Sequence, residues 1–323
     1  MVKHALCLLA AAAGFAAGTS YAQGYPNKPI RWVVPYTPGG ITDTVTRLVT
    51  QKLQTAWNQP ITVENRPGAN SLIGAELVAK SPADGYVLLT VIAAHAANAT
   101  LYAGKMPFDA VKSFAVVSHV ASAPIILTAA NNLAVKDMRE LIAYAKANPG
   151  KLSFGSSGIG AAAHLTTELL KQVAGIDMVH VPFKGTAGAL QALMSGDIQI
   201  LGDVPSSMMP HVRSGKIKAL GLFSNERIAG AQEVPTVVEA GGPAIESATW
   251  VMILAPAGTP ADIVNRISQE IATAIASADL RDRLTQLAIQ PIGRTPEAST
   301  QFLNDEIAKW RKVIVAAGVK AEQ

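Results

Sequence analysis

Short apolar runs alternate with helical stretches along nearly the whole chain, and this alternation limits the possible folds more than any other feature. Ile30-Arg31-Trp32-Val33-Val34 reads as a buried strand stopped by Pro35. A helix is expected over 42–57, with Leu48, Val49 and Leu53 on one face and Thr42 as its N-cap. A strand at 61–64, a helix at 71–80 and a strand at 86–91 follow. Asn65-Arg66-Pro67-Gly68 and Ser81-Pro82-Ala83-Asp84-Gly85 punctuate them as turns. A second series begins near residue 125. It has a helix at 136–147 ended by Asn148-Pro149-Gly150, then strands at 152–154, 178–181, 198–201 and 217–222 with helices between. A strand at 250–254 and helices at 260–277, 279–287 and 297–317 complete the chain. Such alternation predicts an α/β protein whose largely parallel sheet is covered on both faces.

Length divides this pattern. The chain has 323 residues, above the size of about 250–300 at which single cores stop growing, so two lobes are expected. No low-complexity linker separates the two series, which is compatible with lobes joined by two or more crossings.

The first residues point to export. Lys3 and His4 precede an apolar run over 5–17, and Ser20-Tyr21-Ala22 fits the small-x-small pattern of a signal-peptidase site. That run is too short to span a bilayer, which takes roughly 20 residues. A signal peptide over 1–22, cleaved near Ala22, is the expectation. The sole cysteine, Cys7, leaves with it, so the mature chain has no thiolate nucleophile, thiolate metal site or disulfide.

Charge excludes one class of partner. The sequence pI is about 9.1, but the formal net charge is only +4 and charged residues make up 15% of the chain. The bases stand singly, as at Lys151, Lys171, Lys184 and Lys216. A nucleic-acid surface needs them clustered.

Three loops each follow an expected strand and open an expected helix. Tyr36-Thr37-Pro38-Gly39-Gly40 allows close backbone approach to a ligand, and the helix behind it offers free N–H groups and a positive dipole end. That combination is an anion site that needs no basic side chain. Gly155-Ser156-Ser157-Gly158-Ile159-Gly160 adds two hydroxyls to the same geometry. Phe183-Lys184-Gly185-Thr186 forms the third, where Lys184 either faces an anion or is solvated, and Phe183 is either a ligand wall or core.

Two enzyme readings fail on the second loop. Gly158-x-Gly160-x-x-Ala163 matches a relaxed dinucleotide fingerprint, but the next strand ends in Val181-Pro182-Phe183-Lys184 without the required acid. A nucleophile elbow on Ser157 would need glycine where Ile159 stands. His95, His119, His164, His180 and His211 show no i, i+3 or i, i+4 pairing, so neither a metal nor another cofactor is expected. His95 follows the third strand as a ligand contact. His164 opens the helix behind the serine loop, either bonding within the loop or lining a cleft. Asp43 and Arg47 are spaced to pair on a helix. Asp203 serves an amino or hydroxyl group on a ligand, or caps the helix at Pro205.

Several segments in order resemble the solute-binding proteins of tripartite tricarboxylate transporters, the Bug or TctC-like family. They are Tyr25-Pro26-x-Lys28-Pro29-Ile30, Val34-Pro35-Tyr36-x-Pro38-Gly39-Gly40-x-x-Asp43-x-x-x-Arg47, Glu64-Asn65-Arg66-Pro67-Gly68-Ala69 and Ala147-Asn148-Pro149-Gly150-Lys151-Leu152. His180-Val181-Pro182-Phe183-Lys184-Gly185, Pro235-Thr236-Val237-x-Glu239-Ala240-Gly241 and Ala255-Pro256-Ala257-Gly258-Thr259-Pro260 continue the series to the C-terminal part. The resemblance implies a two-lobed periplasmic-binding-protein fold of the Venus-flytrap, type II-like kind, with a ligand cleft between the lobes. On this chain it implies lobe 1 from 23–124 plus 250–323 and lobe 2 from 125–249. Carried over residue by residue, Tyr36, Thr37, Gly39, Gly40, Ala94 and His95 form one wall of the cleft. Ser156, Ser157, Gly158, Gly160, His164, Phe183, Lys184, Gly185, Thr186 and Asp203 form the other. Ile41, Thr42 and the run Ile92-Ala93-Ala94-His95-Ala96 depart from common members, in which small hydroxyl residues are frequent in the latter loop.

The function implied is capture of a small carboxylate, di- or aromatic, by a periplasmic monomer serving the membrane subunits of such a transporter, without catalysis. A receptor presenting its ligand to a sensor kinase and an exported hydrolase are the alternatives from other classes.

Overall fold

The computed structural model describes residues 24–321; the expected signal peptide, its cleavage site at Ala22 and Cys7 lie outside them. The first half builds β1 (Ile30–Val34), α1 (Ile41–Trp57), β2 (Ile61–Asn65), α2 (Leu72–Ala79), β3 (Val87–Val91), α3 (Ala94–Leu101), β4 (Phe114–Pro124) and β5 (Ile126–Ala130). Then come α4 (Met138–Ala147), β6 (Ser153–Ser156), α5 (Ala162–Ala174), β7 (Val179–Pro182), α6 (Thr186–Ser195), β8 (Ile200–Asp203), α7 (Pro205–Arg213) and β9 (Ile217–Leu222). The chain closes with β10 (Ala248–Pro256), α8 (Ala261–Ala276), α9 (Ala278–Gln286), β11 (Gln290–Pro291) and α10 (Pro296–Ala317).

These strands form two sheets, ordered β11-β4-β10-β3-β1-β2 and β7-β6-β8-β5-β9. The expectation of largely parallel sheets needs correction, because both are mixed. β1 runs parallel to β2 and β3, whereas β10 is antiparallel to β3 and β4. In the second sheet β6 is parallel to β7 and β8, but β5 is antiparallel to β8 and β9. Two of the reversed strands, β5 and β10, are those by which the chain enters one sheet from the other; the third, β11, follows α9 and pairs antiparallel with β4. A strand entering from the neighbouring sheet needs no crossover helix, so nothing enforces the parallel sense.

The two passages lie side by side. One runs through Ile125, between β4 and β5, and the other through 223–247, between β9 and β10. Ile125 N donates to Ser247 O at 3.0 Å, Phe223 N to Ile125 O at 2.8 Å and Ser247 N to Phe223 O at 2.9 Å. The crossings therefore form one bonded strap.

Three apolar clusters hold the layers. Trp32, Leu88, Val251 and Ile253 of the first sheet pack on one face against Val45, Val49 and Leu53 of α1 and Ile263, Ile267 and Ile271 of α8. The isoleucines recur every four residues, the spacing that gives a helix one apolar face. Removing Ile267, fully buried there, would cost about 2–5 kcal/mol. The second sheet has its own cluster under α6 and α7. The third is continuous through both halves, joining Leu89, Phe154, Leu165, Leu220, Trp250 and Trp310.

Candidate functional site

Between the two sheets lies a cavity of about 310 Å³. Besides the short α3, whose first residue Ala94 also lines it, four longer helices point their N-termini at it: α1 through Gly40, Ile41 and Thr42, α5 through Ala161, Ala162 and Ala163, α6 through Gly185 and Thr186, and α7 through Val204 and Ser207. These helices follow β1, β6, β7 and β8, and because β6 runs parallel to β7 and β8 the turns after those three gather at one rim of their sheet. None of the four helices has a side-chain cap on its first amides. Thr42 is not the N-cap of α1. Gly40 holds that position, and buried Thr42 instead gives its carbonyl to Thr46 Oγ1 at 2.7 Å. Uncapped first turns leave N–H donors for a ligand, although α7 opens on Pro205, which has none, and among the described residues no Lys, Arg or His lines the cavity.

The first loop is held from behind. Asp43 accepts from Gly39 N at 3.1 Å, from Arg47 Nε at 3.0 Å and from Asn65 Nδ2 at 3.0 Å, and Asn65 Nδ2 also donates to Tyr36 O at 3.0 Å. Burial raises the Asp43 pKa, but the bonds from Arg47, Gly39 and Asn65 outweigh it and hold the carboxyl below its usual range. Gly39 adopts φ +89°, a turn that favours glycine. The Tyr36 hydroxyl is buried beside Ser71 and the Ile92 backbone without a well-formed hydrogen bond, and burial pushes its pKa up to about 12.

Nine of the sixteen sequence candidates line this cavity: Tyr36, Thr37, Gly40, Ala94, Ser157, Gly158, Gly185, Thr186 and Asp203. Seven do not. Gly39 serves the turn just described. His95 is buried, its Nε2 at 2.8 Å from Ala110 O and its ring against Phe108 and Phe114; burial lowers its pKa to about 4. It is a neutral core histidine because α3 begins at Ala94 and turns the next side chain inward. Ser156 is fully buried with Oγ 2.7 Å from His180 Nε2. The His180 and His164 rings stack at 3.7 Å, and His164 Nδ1 accepts from Gly160 N at 3.1 Å. Burial first, then nearby Lys171, lowers His180 to about 4; burial and His180 lower His164 to about 3. This Ser–His contact braces the loop from inside and does not reach the cavity. Phe183 packs against the core of the second sheet, and Lys184 is exposed. Gly160 lies on α3, where an added Cβ would come 2.6 Å from Leu101 Cδ1 and 3.9 Å from Ala97 Cβ.

Sequence reading missed Asn70, Ile125, Ser207 and Thr249, which also line the cavity. Asn70 sits among three successive non-glycine residues with positive φ, Ala69 at 45°, Asn70 at 49° and Ser71 at 78°. Such backbone costs roughly 1–2 kcal/mol per residue and concentrates at functional sites. It is held by Asn98 of α3, whose Nδ2 donates to Asn70 O at 2.8 Å and whose Oδ1 accepts from Asn70 Nδ2 at 2.7 Å. Ile125 is itself one crossing and Thr249 follows the other, and no local periodicity marks either.

Asp203 ends β8 with Oδ2 accepting from Thr186 Oγ1 at 2.6 Å and Oδ1 from Val204 N at 2.7 Å. Burial raises its pKa above the usual carboxylate range, against the opposing effect of those two bonds. Among the described residues no group of three or more His, Cys, Asp or Glu converges as a metal site requires, and no helix is long and apolar enough to cross a membrane.

Comparison with known proteins places these features in context. The model of the tripartite tricarboxylate transporter family receptor matches residues 45–319. The chain is 33% identical over 315 residues to protein BugT of Bordetella pertussis, across 96% of this chain and 95% of that one. It is similar to the solved structure of R. palustris Rpa4515 with adipate, at a TM-score of 0.84 and 33% identity, covering 92% of this chain and 99% of that one. MatC (Rpa3494) from Rhodopseudomonas palustris with bound malate gives 0.79 and 33%, covering 90% and 100%.

Proposed function

The chain belongs to the tripartite tricarboxylate transporter receptor family, and from that membership we propose that it captures a small carboxylate, di- or aromatic, in the periplasm and delivers it to the membrane subunits of such a transporter. One observation carries the reading: four uncapped helix starts from two sheets face a single cavity without a basic side chain. Backbone donors fixed by the fold bind an anion with little reorganisation. Family members and solved relatives are binding proteins, and the adipate and malate held by two of them favour a dicarboxylate.

The signal peptide spans 1–22, and the mature protein acts as a monomer. Lobe 1 comprises 23–124 plus 250–323 and lobe 2 comprises 125–249, hinged at the bonded crossings. Ligand touching both walls favours the closed arrangement over an open one, as a population shift.

The test is a thermal-shift screen of refolded, ligand-stripped protein against mono-, di- and tricarboxylates, aromatic acids and amino acids. At a hundredfold excess over Kd a binder adds about 2.7 kcal/mol, a rise of a few degrees for a chain this long. A rise confined to one carboxylate class supports the reading and names the ligand. Folded protein that responds to no carboxylate overturns it.

A further inference from the structure

Asp203 is the one carboxyl group that lines the cavity among the described residues. It stands where α6 and α7 both begin, bonded to Thr186 Oγ1 and to the Val204 amide. The positive ends of these two helices therefore already face a carboxyl of the chain itself. The starts of α1 and α5 are different. Asp43, in the first turn of α1, does not line the cavity and is paired with Arg47 at 3.0 Å, and α5 has no acid in its first turn. Two helix starts are thus open to an external anion and two are answered from within.

Among the described residues no basic side chain lines the cavity beside Asp203, and Lys184, two positions before Thr186, is exposed and outside it. β5, paired to it through Ile126, has no ionisable residue, and neither do β6 and α6. α7 has His211 and Arg213 only in its last turn. On α5, His164 accepts from the Gly160 amide and Glu168 pairs with Lys171 at 3.1 Å. Thr249 faces the cavity from β10 as a neutral hydroxyl. A ligand reaching from α1 and α5 toward α6 and α7 thus meets a carboxyl with no cation between them. Two carboxylates sharing such a place hold one proton between them, since both cannot ionise cheaply.

We infer that the ligand's first carboxylate lies at the starts of α1 and α5, and that the second carboxyl of a dicarboxylate meets Asp203 across one shared proton, taken up from solvent on binding. The inference rests on the carboxylate-binding reading above and adds to it a rule of selection: Asp203 admits at the far end only a group that presents a hydrogen. The proton starts in solvent and ends in an O–H···O bond between the two carboxyls, so the complex gains one positive charge relative to its separated partners. Burial has already raised the proton affinity of Asp203 in the free chain.

Titration calorimetry of the full mature chain tests this, with malate and adipate as dicarboxylates and hexanoate as the monocarboxylate. Repeating each titration near pH 7.5 in buffers of different ionisation enthalpy counts the protons exchanged. The wild type is expected to take up one proton per dicarboxylate, with affinity falling about tenfold per pH unit as pH rises, and none for hexanoate. Asp203→Asn, nearly isosteric and checked for folding by its unfolding temperature, should lose the uptake and the pH dependence. Dicarboxylate binding without proton uptake by the wild type overturns the inference and leaves carboxylate capture standing. Binding of hexanoate but of neither dicarboxylate overturns it too, whereas binding of no carboxylate at all removes the underlying reading.

Discussion

Asp43 shows how much of the site one side chain can organise. Its carboxylate ties Gly39, Arg47 and Asn65 together, and Asn65 in turn holds the Tyr36 carbonyl. Asp43→Asn keeps the volume but weakens three charge-assisted bonds, so a loss of about 1–3 kcal/mol is expected, read as a lower urea midpoint at pH 7. The pH dependence has a definite sign. Because the folded carboxyl is held below its usual range, its contribution is present above the unfolded value near 4. It is lost as pH falls through the lower folded value. The wild type should therefore lose its advantage over the variant on acidification, and a gap in urea midpoint that stays constant from pH 7 to pH 3 would refute this role. The Asp43–Arg47 pair was legible from spacing alone. The part played by Asn65 was not, because only the β1–β2 register, with Val34 opposite Asn65, brings it beside Asp43. His95 was misjudged for a related reason: its neighbours Phe108 and Phe114 are 13 and 19 positions away, and they decide that it is core.

At the scale of elements, the strand-to-helix turns were readable because glycine and apolar runs mark them locally. The strand β4 was not, since Ser118, His119 and Ser122 interrupt its apolar pattern while being buried all the same. α3 was also missed, and it proves to be the surface on which the serine loop rests. A Cβ added at Gly160 would meet Leu101 and Ala97 there, so a loop of one wall approaches a helix of the other too closely for a side chain. Gly160→Ala places a Cβ 2.6 Å from Leu101 Cδ1 at a residue with φ +80°. The clash opposes the loop's seat on α3, and with it the closed arrangement proposed above, while the φ cost strains the loop in any arrangement; ligand affinity is expected to fall by tenfold or more, since binding is weakened by the fraction of closure-competent molecules lost. Leu101→Ala in the same chain opens the space but leaves the φ cost. The double variant should thus recover part of the affinity and show a coupling energy of about 0.5 kcal/mol or more. Strictly additive losses would mean that the loop and α3 do not form a closure contact.

The closure proposed above would act on the whole molecule through very little covalent connection, namely the crossing at Ile125 and the segment over 223–247. Two hydrogen bonds, Ile125 N to Ser247 O and Phe223 N to Ile125 O, join these crossings to each other, and a third, Ser247 N to Phe223 O, ties the two ends of the longer one. α10 adds a brace, with Gln172 Nε2 of α5 donating to Val313 O at 3.3 Å, and one apolar cluster runs from Leu89 through Leu165 to Trp310 without a break. Two sheets sharing a core in this way should unfold together, although each also has a cluster of its own. The tryptophans make the point measurable. Trp32 and Trp57 lie in the first sheet's own cluster, and Trp250 and Trp310 in the cluster shared by both halves, so fluorescence reports the first half and the shared core, while far-UV ellipticity also reports the second sheet and its helices. In urea the two signals should give one coincident transition, and a saturating ligand should shift both equally. Ellipticity lost in two steps, only one of them shared with fluorescence, would show the halves melting independently. In that case the bonded crossings and α10 would be linkers, not couplers, and closure would depend on the ligand alone to hold the two walls together.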